Sequence, residues 1–344
     1  MLGSLNMDIS VTVPDLPVPG ATVLGGAAVF APGGKGANQA VAAARLARDA
    51  GMPVAMVGCT GDDDFGRTLR SALRAEGIDD SRVRTVVGAP TGIAMITVDH
   101  AGENMITVAP GANREVGTAD LGADPAETGG ASRDVLVISA EVPLPVISAA
   151  LSASAGRALR VLNLAPAPSL AAAAALVAAG PDWLVVNESE AAAVLGRRVA
   201  GLAEAADAAA DLVAAGARNA VVTAGAAGAA YCGPGTALRP AGIQTAGDGG
   251  RNLAGAGQSA AAGRPGVVTV PGFKVTAIDT VGAGDTFVGA LAVALAAGVR
   301  PADAVTAAAA AGAAAAARPG TQSGMPRPAD VLAVTGHHWP VTSH

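Results

Sequence analysis

Residues 183–190 read Trp-Leu-Val-Val-Asn-Glu-Ser-Glu, and an alanine-rich segment follows. Four apolar residues, two of them β-branched, predict a short buried strand. It ends on an amide and two carboxylates, with a helix expected beyond. Similar strands are expected at Val135–Ile138, Val161–Asn163 and Ala220–Thr223, separated by alanine-rich helices, notably Leu170–Ala179 and Ala203–Ala215. Strands alternating with helices at this spacing imply βαβ units, hence a parallel sheet covered by helices on both faces. Ligands of such sheets bind at the carboxyl ends of the strands, where the polar loops of this chain fall.

The N-terminal third has another texture. Asp8–Val13 alternates as a strand, and Pro14, Pro17, Pro19 and Gly20 then punctuate the chain. A helix is expected over Asn38–Arg48, a short strand over Val54–Val57 and a second helix over Phe65–Glu76. Ile93–Val98 and Asn104–Val108 read as a hairpin that turns near His100. Ile243–Gly266, rich in Gly, Ala, Gln and Ser, reads as a flexible surface insertion, because strand-like sequence resumes at Val267.

Composition narrows the function classes. Of 344 residues, 51% are hydrophobic and 15% charged, which excludes wholesale disorder. The net charge of −6 argues against a general nucleic-acid or anionic-membrane binder. Cys59 and Cys232 supply neither a disulfide framework nor a metal cluster. The opening Met-Leu-Gly-Ser-Leu-Asn-Met-Asp-Ile-Ser has no basic region followed by an apolar stretch, so no signal peptide is expected. The longest apolar runs, Thr286–Val299 and Ala307–Ala317, fall short of the ~20 residues that span a bilayer. A cytoplasmic protein is the expectation. His100, His337, His338 and His344 read as solvated loop or tail residues.

Four polar segments could carry chemistry. Asp279-Thr-Val-Gly-Ala-Gly-Asp-Thr-Phe287 opens an apolar helix. Its glycines would let successive N–H groups converge on an anion, and Asp285 could accept a proton from an attacking hydroxyl. Equally, Asp285 could be a helix N-cap. Gly33-Gly-Lys-Gly-Ala-Asn38 also opens a helix; it is a close-approach loop for a polar ligand or a flexible turn, and it is not a Walker A loop. Asn187-Glu-Ser-Glu190 fits a hydrated Mg²⁺ site or a capping box. Thr223-Ala-Gly-Ala-Ala-Gly228 resembles a nucleotide-contacting glycine turn, without the full dinucleotide fingerprint.

Taken in this order, the segments resemble the ribokinase branch of the phosphofructokinase-B-type sugar kinases over Gly3 to about Pro326. Gly3-Ser-Leu-Asn-Met-Asp8 is similar to the family's first sugar-contacting motif, and Gly33–Asn38, continuing as Gln39-Ala40, to its glycine loop. Cys59-Thr-Gly-Asp-Asp63, Thr91-Gly-Ile-Ala94, Gly102-Glu-Asn104, Gly111-Ala-Asn113 and Asn163-Leu-Ala-Pro-Ala167 match intervening segments. The resemblance implies a three-layer α/β/α sandwich with a mostly parallel central sheet in a single domain over residues 1–344. It also implies a small β-sheet lid from about Asp8–Phe30 and Val86–Val108, paired into a homodimer.

The resemblance also implies roles. Asn6, Met7, Asp8, Gly34, Lys35, Gly36, Ala37, Asn38 and Glu141 would hold the sugar, with Asp285 as base and Gly282, Ala283 and Gly284 as anion hole. Asn187, Thr223, Ala224, Gly225, Ala226, Ala227, Gly228, Gly284, Asp285 and Ala308 would line the ATP site. Asn187 and Glu190 would organise Mg²⁺ mainly through water. Asp279, Val281, Ala315, Arg318, Gly320 and Gly324 would hold an activating monovalent cation such as K⁺, although Gly324 offers no side-chain oxygen. The implied reaction is phosphorylation of ribose at O5 by ATP. A sister kinase for deoxyribose, fructose, a keto-deoxy acid or a nucleoside would share fold and base. A catalytically silent sugar-binding regulator is the rival from another class, and a dinucleotide oxidoreductase a further one. The family's opening strand is largely missing before Gly3, which implies either a start upstream or a shortened sheet edge.

Overall fold

Valine, leucine and isoleucine runs form a layered sheet in a computed structural model that describes residues 1–122, 134–234 and 266–341. Most of the Ile243–Gly266 insertion lies outside the described residues, as does His344. Strands β1 (Asn6–Thr12), β2 (Val29–Gly33), β5 (Gly92–Val98) and β6 (Asn104–Ala109) form a peripheral four-stranded sheet in the order β2-β1-β5-β6. The central sheet contains β3 (Ala55–Gly61), β4 (Asp79–Val86), β7 (Val135–Ser139), β8 (Leu159–Asn163), β9 (Trp183–Asn187), β10 (Ala220–Thr223), β11 (Gly228–Cys232) and β12 (Val267–Pro271). Its six-stranded part runs β12-β11-β10-β9-β8-β7. Within it β7 to β10 pair in parallel, whereas β11 and β12 join antiparallel. β3 and β4 form a separate parallel pair.

Leu2 joins the two parts. It bridges Val57 on one side and Ile138 on the other, so the first residues lie in the middle of the central sheet. A shortened edge, one of the two sequence expectations, is therefore not what the chain shows. The backbone N–H of Leu2 donates to the Val137 carbonyl at 2.8 Å, and that of Gly3 to the Val57 carbonyl at 3.2 Å.

Alternation along the strands sends side chains to two cores. Ile138, Leu162, Leu184 and Val186 pack with α3 (Leu144–Ala153), α4 (Leu170–Ala178), α5 (Glu188–Leu195) and α6 (Gly201–Ala214). Val137, Val161 and Val185 face α1 (Lys35–Ala47), α7 (Ala283–Ala296), α8 (Pro301–Ala316) and α10 (Pro328–Thr335). The result is the expected three-layer α/β/α sandwich. A third cluster, with Leu5, Met7, Val41, Leu69 and Leu73, joins the peripheral sheet to α1 and α2 (Asp64–Ala75). A short helix, α9 (Thr321–Gly324), lies between α8 and α10. Among the described residues no helix is long and apolar enough to cross a membrane.

Candidate active site

β1 brings the first polar motif into place. Strand alternation puts Asn6 and Asp8 on one face and Met7 on the other, where it is 3% exposed in the apolar cluster beneath. The Met7 and Ala37 side chains therefore belong to the core, which leaves only their backbone for a sugar contact. Asn113, in the turn after β6, fixes Asn6. Its Nδ2 donates to Asn6 Oδ1 at 2.8 Å and to the Leu5 carbonyl at 3.1 Å, while its Oδ1 accepts from Leu5 N–H at 2.9 Å.

The glycine loop is packed against this strand. A Cβ on Gly33 would collide with both carboxylate oxygens of Asp8. Gly34 has φ of +89°, and a Cβ there would lie 2.6 Å from the Asn6 backbone nitrogen. The loop's glycines thus bring two motifs together, instead of merely loosening a turn. Lys35 then starts α1, and its N–H donates to Glu141 at 3.3 Å; the same carboxylate oxygen accepts from the Ser4 hydroxyl.

Lys35 is the central cation of a carboxylate cluster. The nearby Asp285, followed by Glu141, Glu190 and Asp8, holds its ammonium above the ordinary lysine range against the opposing effect of burial. Burial pushes Asp8 up to about 7, with Glu141 and Asp285 adding to the rise. Burial likewise raises Glu141 and Glu190. A cavity of about 620 Å³ opens beside this cluster, lined in part by Ser4, Asn6, Asn113, Arg114, Glu141 and Pro166.

Asp285 is not a helix cap. Gly282, with φ of +80°, caps α7 without any side-chain bond, and Asp285 is the third residue of the helix. Its carboxylate turns to α1 instead, accepting from Asn38 Nδ2 at 2.9 Å and from Gln39 Nε2 at 3.1 Å. The Ala283 N–H donates to the Thr280 carbonyl at 3.3 Å, and the amides of Gly284 and Asp285 that follow it in the first turn of α7 have no intrahelical acceptor. Nothing within 4 Å would meet a Cβ on Gly284, so the space there is open.

The nucleotide candidates gather at neighbouring strand ends. Asn187 and Thr223 are register partners across the parallel pair β9–β10. The Thr223–Gly228 turn, with Ala224 buried and Gly225, Ala226 and Ala227 exposed, follows directly. Ala308 does not join them. It is fully buried in the apolar cluster under α8 and offers no surface to a nucleotide. Alanine fits either face of a helix, so the tract gave no sign of which residues turn inward.

Asn187 and Glu190 realise the capping box, with Asn187 Oδ1 accepting from Glu190 N–H at 2.8 Å and Glu190 Oε2 from Asn187 N–H at 2.9 Å. Asn187 Oδ1 also accepts from the Ser189 hydroxyl. One carboxylate beside an occupied amide fits a Mg²⁺ that keeps its waters, and does not fit a direct protein cage. Among the monovalent-cation candidates, the Ala315 carbonyl accepts from Arg318 N–H at 3.0 Å and the Gly320 carbonyl from Gly324 N–H at 2.9 Å. Asp279 accepts from Val281 N–H and Gly320 N–H, each at 3.0 Å. A Cβ on Gly324 would lie 3.2 Å from the carbonyl oxygens of Arg318 and Pro319. The Arg318 guanidinium pairs with Asp330 at 2.7 Å, so of Arg318 the backbone carbonyl is the group that could face a cation.

A buried carboxylate at a glycine-rich helix start, with Lys35 and further carboxylates around it, is a layout compatible with phosphoryl transfer to a small molecule. The pattern of the pfkB family of carbohydrate kinases matches residues 1–328, and the chain belongs to that family. It is 34% identical to a ribokinase of Schizosaccharomyces pombe over 95% of this chain and 94% of that one. A ribokinase structure from Thermotoga maritima superposes with TM-score 0.74 at 29% identity, covering 96% of this chain and 97% of the other. The Arabidopsis thaliana ribokinase complexed with ribose and ATP superposes with TM-score 0.73 at 25% identity, over 98% and 97% of the two chains.

Ser4, Gln39, Asn113, Asn163 and Gln322 also shape the site, and none was assigned a role from sequence. Gln39 is separated from Asp285 by 246 positions, so no local pattern could have revealed their contact.

Proposed function

We propose that this chain transfers the γ-phosphoryl group of ATP to O5 of D-ribose, giving ribose 5-phosphate and ADP. The observation that carries the reading is Asp285, a buried carboxylate held by two α1 amides at the open start of α7. In the reaction the ribose 5-hydroxyl oxygen forms a bond to the γ-phosphorus as the bond to the β-bridging oxygen breaks. The hydroxyl proton passes to Asp285. The Gly282–Asp285 amides offset charge on the equatorial oxygens of the transferring group. Asn6, Asp8, Lys35, Asn38 and Glu141 orient the sugar, which places its hydroxyl in line.

Asn187 and the Thr223–Gly228 turn receive the nucleotide. Mg²⁺, organised through water by Asn187 and Glu190, supplies charge neutralisation when bound. Asp279 with the carbonyls of Val281, Ala315, Arg318 and Gly320 forms the place for K⁺. The peripheral sheet acts as a lid over the sugar. Val29, Ile106 and Val108 share the Asp8 face of that sheet by register and are each more than 40% exposed, which supports pairing of two lids in a cytoplasmic homodimer.

Initial rates across a panel of ribose, deoxyribose, fructose, a keto-deoxy acid and adenosine, each with ATP, test the substrate. Highest kcat/KM on ribose is expected, and a clear preference for another member overturns the choice of sugar. No turnover on any member leaves the silent sugar-binding regulator instead.

A further inference from the structure

We propose that Gln39, oriented by Asn163, and Gln322, acting through Asn38, are positioning residues that hold Asp285 as an oriented proton acceptor. The proposal rests on Asp285 being the base.

The argument follows from the two unlike ends of an amide side chain, an oxygen that accepts and an NH₂ that donates. Which end faces which neighbour is settled wherever one neighbour has a fixed polarity. Asn163, at the end of β8, meets the backbone carbonyl of Val185 on β9 at 3.1 Å from its Nδ2. A carbonyl can only accept, so the Asn163 nitrogen is committed to it and Oδ1 faces the other way. That oxygen accepts from Gln39 Nε2 at 2.9 Å. The orientation of Gln39 is thereby set, and its Nε2 carries a second proton to Asp285 Oδ1 at 3.1 Å.

The other carboxylate oxygen is reached by a separate line. Gln322 on α9 donates Nε2 to Asn38 Oδ1 at 3.0 Å, which turns Asn38 Nδ2 to Asp285 Oδ2 at 2.9 Å. Gln322 is itself pinned to α1, because Arg45 donates to the Gln322 carbonyl at 2.6 Å and to that of Met325 at 2.8 Å. Arg45 is in turn paired with Glu76. Reversing any amide along either line would turn a carbonyl oxygen against a carboxylate or a second carbonyl, inside a site where Asn38, Gln39, Asn163 and Asp285 are each less than 10% exposed. Both oxygens of the base are thus gripped from α1, and its rotation about the carboxyl bond is stopped.

Steady-state kcat and KM for ribose and ATP, with melting temperature, would be measured for wild type, Asp285→Asn, Gln39→Leu, Gln39→Glu and Gln322→Leu. Misplacing a catalytic group by about 1 Å costs on the order of a hundredfold, so Gln39→Leu is expected to lower kcat by roughly ten- to a hundredfold. KM for ATP should stay within about twofold by the same argument, since no nucleotide contact is touched. Gln39→Glu keeps the shape of glutamine and places a second carboxylate against Asp285, so it should be slower than Gln39→Leu. A packing role alone gives the opposite order. Gln322→Leu should lower kcat about tenfold, because one grip remains. Wild-type kcat in folded Gln39→Leu and Gln322→Leu, or losses confined to KM, overturn the proposal. If Gln39→Leu does not fold, the Gln322→Leu and Gln39→Glu rates decide in the same way. Near-normal turnover in Asp285→Asn would instead overturn the base itself.

Discussion

Asn187 and Glu190 cap one another across a single turn: each side chain accepts the other's backbone N–H, at 2.8 and 2.9 Å. A structural duty and a proposed metal duty therefore fall on the same two residues, and substitution can separate them. Glu190→Gln keeps an acceptor for the Asn187 N–H while removing the charge. Stability should change by no more than about 0.5 kcal/mol, as for a retained cap, whereas the Mg²⁺ concentration giving half-maximal rate should rise several-fold. Asn187→Ala removes the cap and should cost about 1 kcal/mol in urea unfolding.

Asp8 gives the fold a pH dependence with an uncommon sign for a carboxylate. Its pKa rises from an ordinary 3.8 to about 7, chiefly through burial. Between those values the folded chain keeps a proton that the unfolded chain has lost. Stability should accordingly fall as pH rises through that window, by up to about 1.4 kcal/mol per unit, and level off above it. Urea titrations from pH 5 to 8 should show Asp8→Asn gaining on wild type with each step up to about pH 7. Sugar hydroxyls donate to the ionised form, so ribose affinity by calorimetry should tighten across pH 7 in wild type and stay flat in Asp8→Asn.

Gly289 sets how closely α1 and α7 approach. A Cβ there would lie 2.7 Å from the Gln39 carbonyl oxygen, 2.9 Å from Ala42 Cβ and 3.0 Å from the Ala43 nitrogen. Overpacking of this kind costs about 1–3 kcal/mol, partly offset by alanine's better helix propensity of about 1 kcal/mol. Gly289→Ala should therefore destabilise the chain in urea. It should also depress kcat more than KM, because α1 carries the amides that grip Asp285.

The exposed apolar residues of the peripheral sheet predict an assembly. Ile106 is 49% exposed and lies in one cross-strand row with Ser10, Val29 and Ile96. A dimer is expected by sedimentation, and Ile106→Asp should shift it toward monomer. Since the same face carries Asp8, KM for the sugar should rise in step with dissociation, and a wild-type KM in the monomer would separate the two.

What was legible in the sequence follows from how local each signal is. Trp183–Val186 and Ala220–Thr223 were readable as strands because β-branched runs in a buried parallel sheet carry their own signature. β2 was not, since Val-Phe-Ala-Pro-Gly contains two strand-breaking residues, which a peripheral edge strand tolerates. β4 was hidden by charge: its Asp80 is held by Arg70 and Arg74, so a polar strand is paired off against α2. The first site helix begins three residues earlier than expected, at Lys35, because the glycines at its start mask helical character. For Asp285, base and cap were equal readings, and the fold, by making Gly282 the cap and turning the carboxylate toward α1, removes the second of them. Asn163, Gln39 and Gln322 make their side-chain hydrogen bonds with partners far along the chain, and no window of sequence contains them.

The close α1–α7 crossing divides the enzyme's capacity to change. Asp285, Asn38 and Gln39 sit on two closely packed helices, so on the proposed mechanism drift in either one would disturb phosphoryl transfer itself. Asn6, Asp8 and the residues of β5 and β6 belong to a sheet that meets that block at α1, through the glycine loop and an apolar cluster that includes Val41. On the proposed roles, a new sugar preference is reached with less disturbance of the phosphate machinery through Asn6 and Asp8 on the sheet than through Lys35 or Asn38, which share α1 with it.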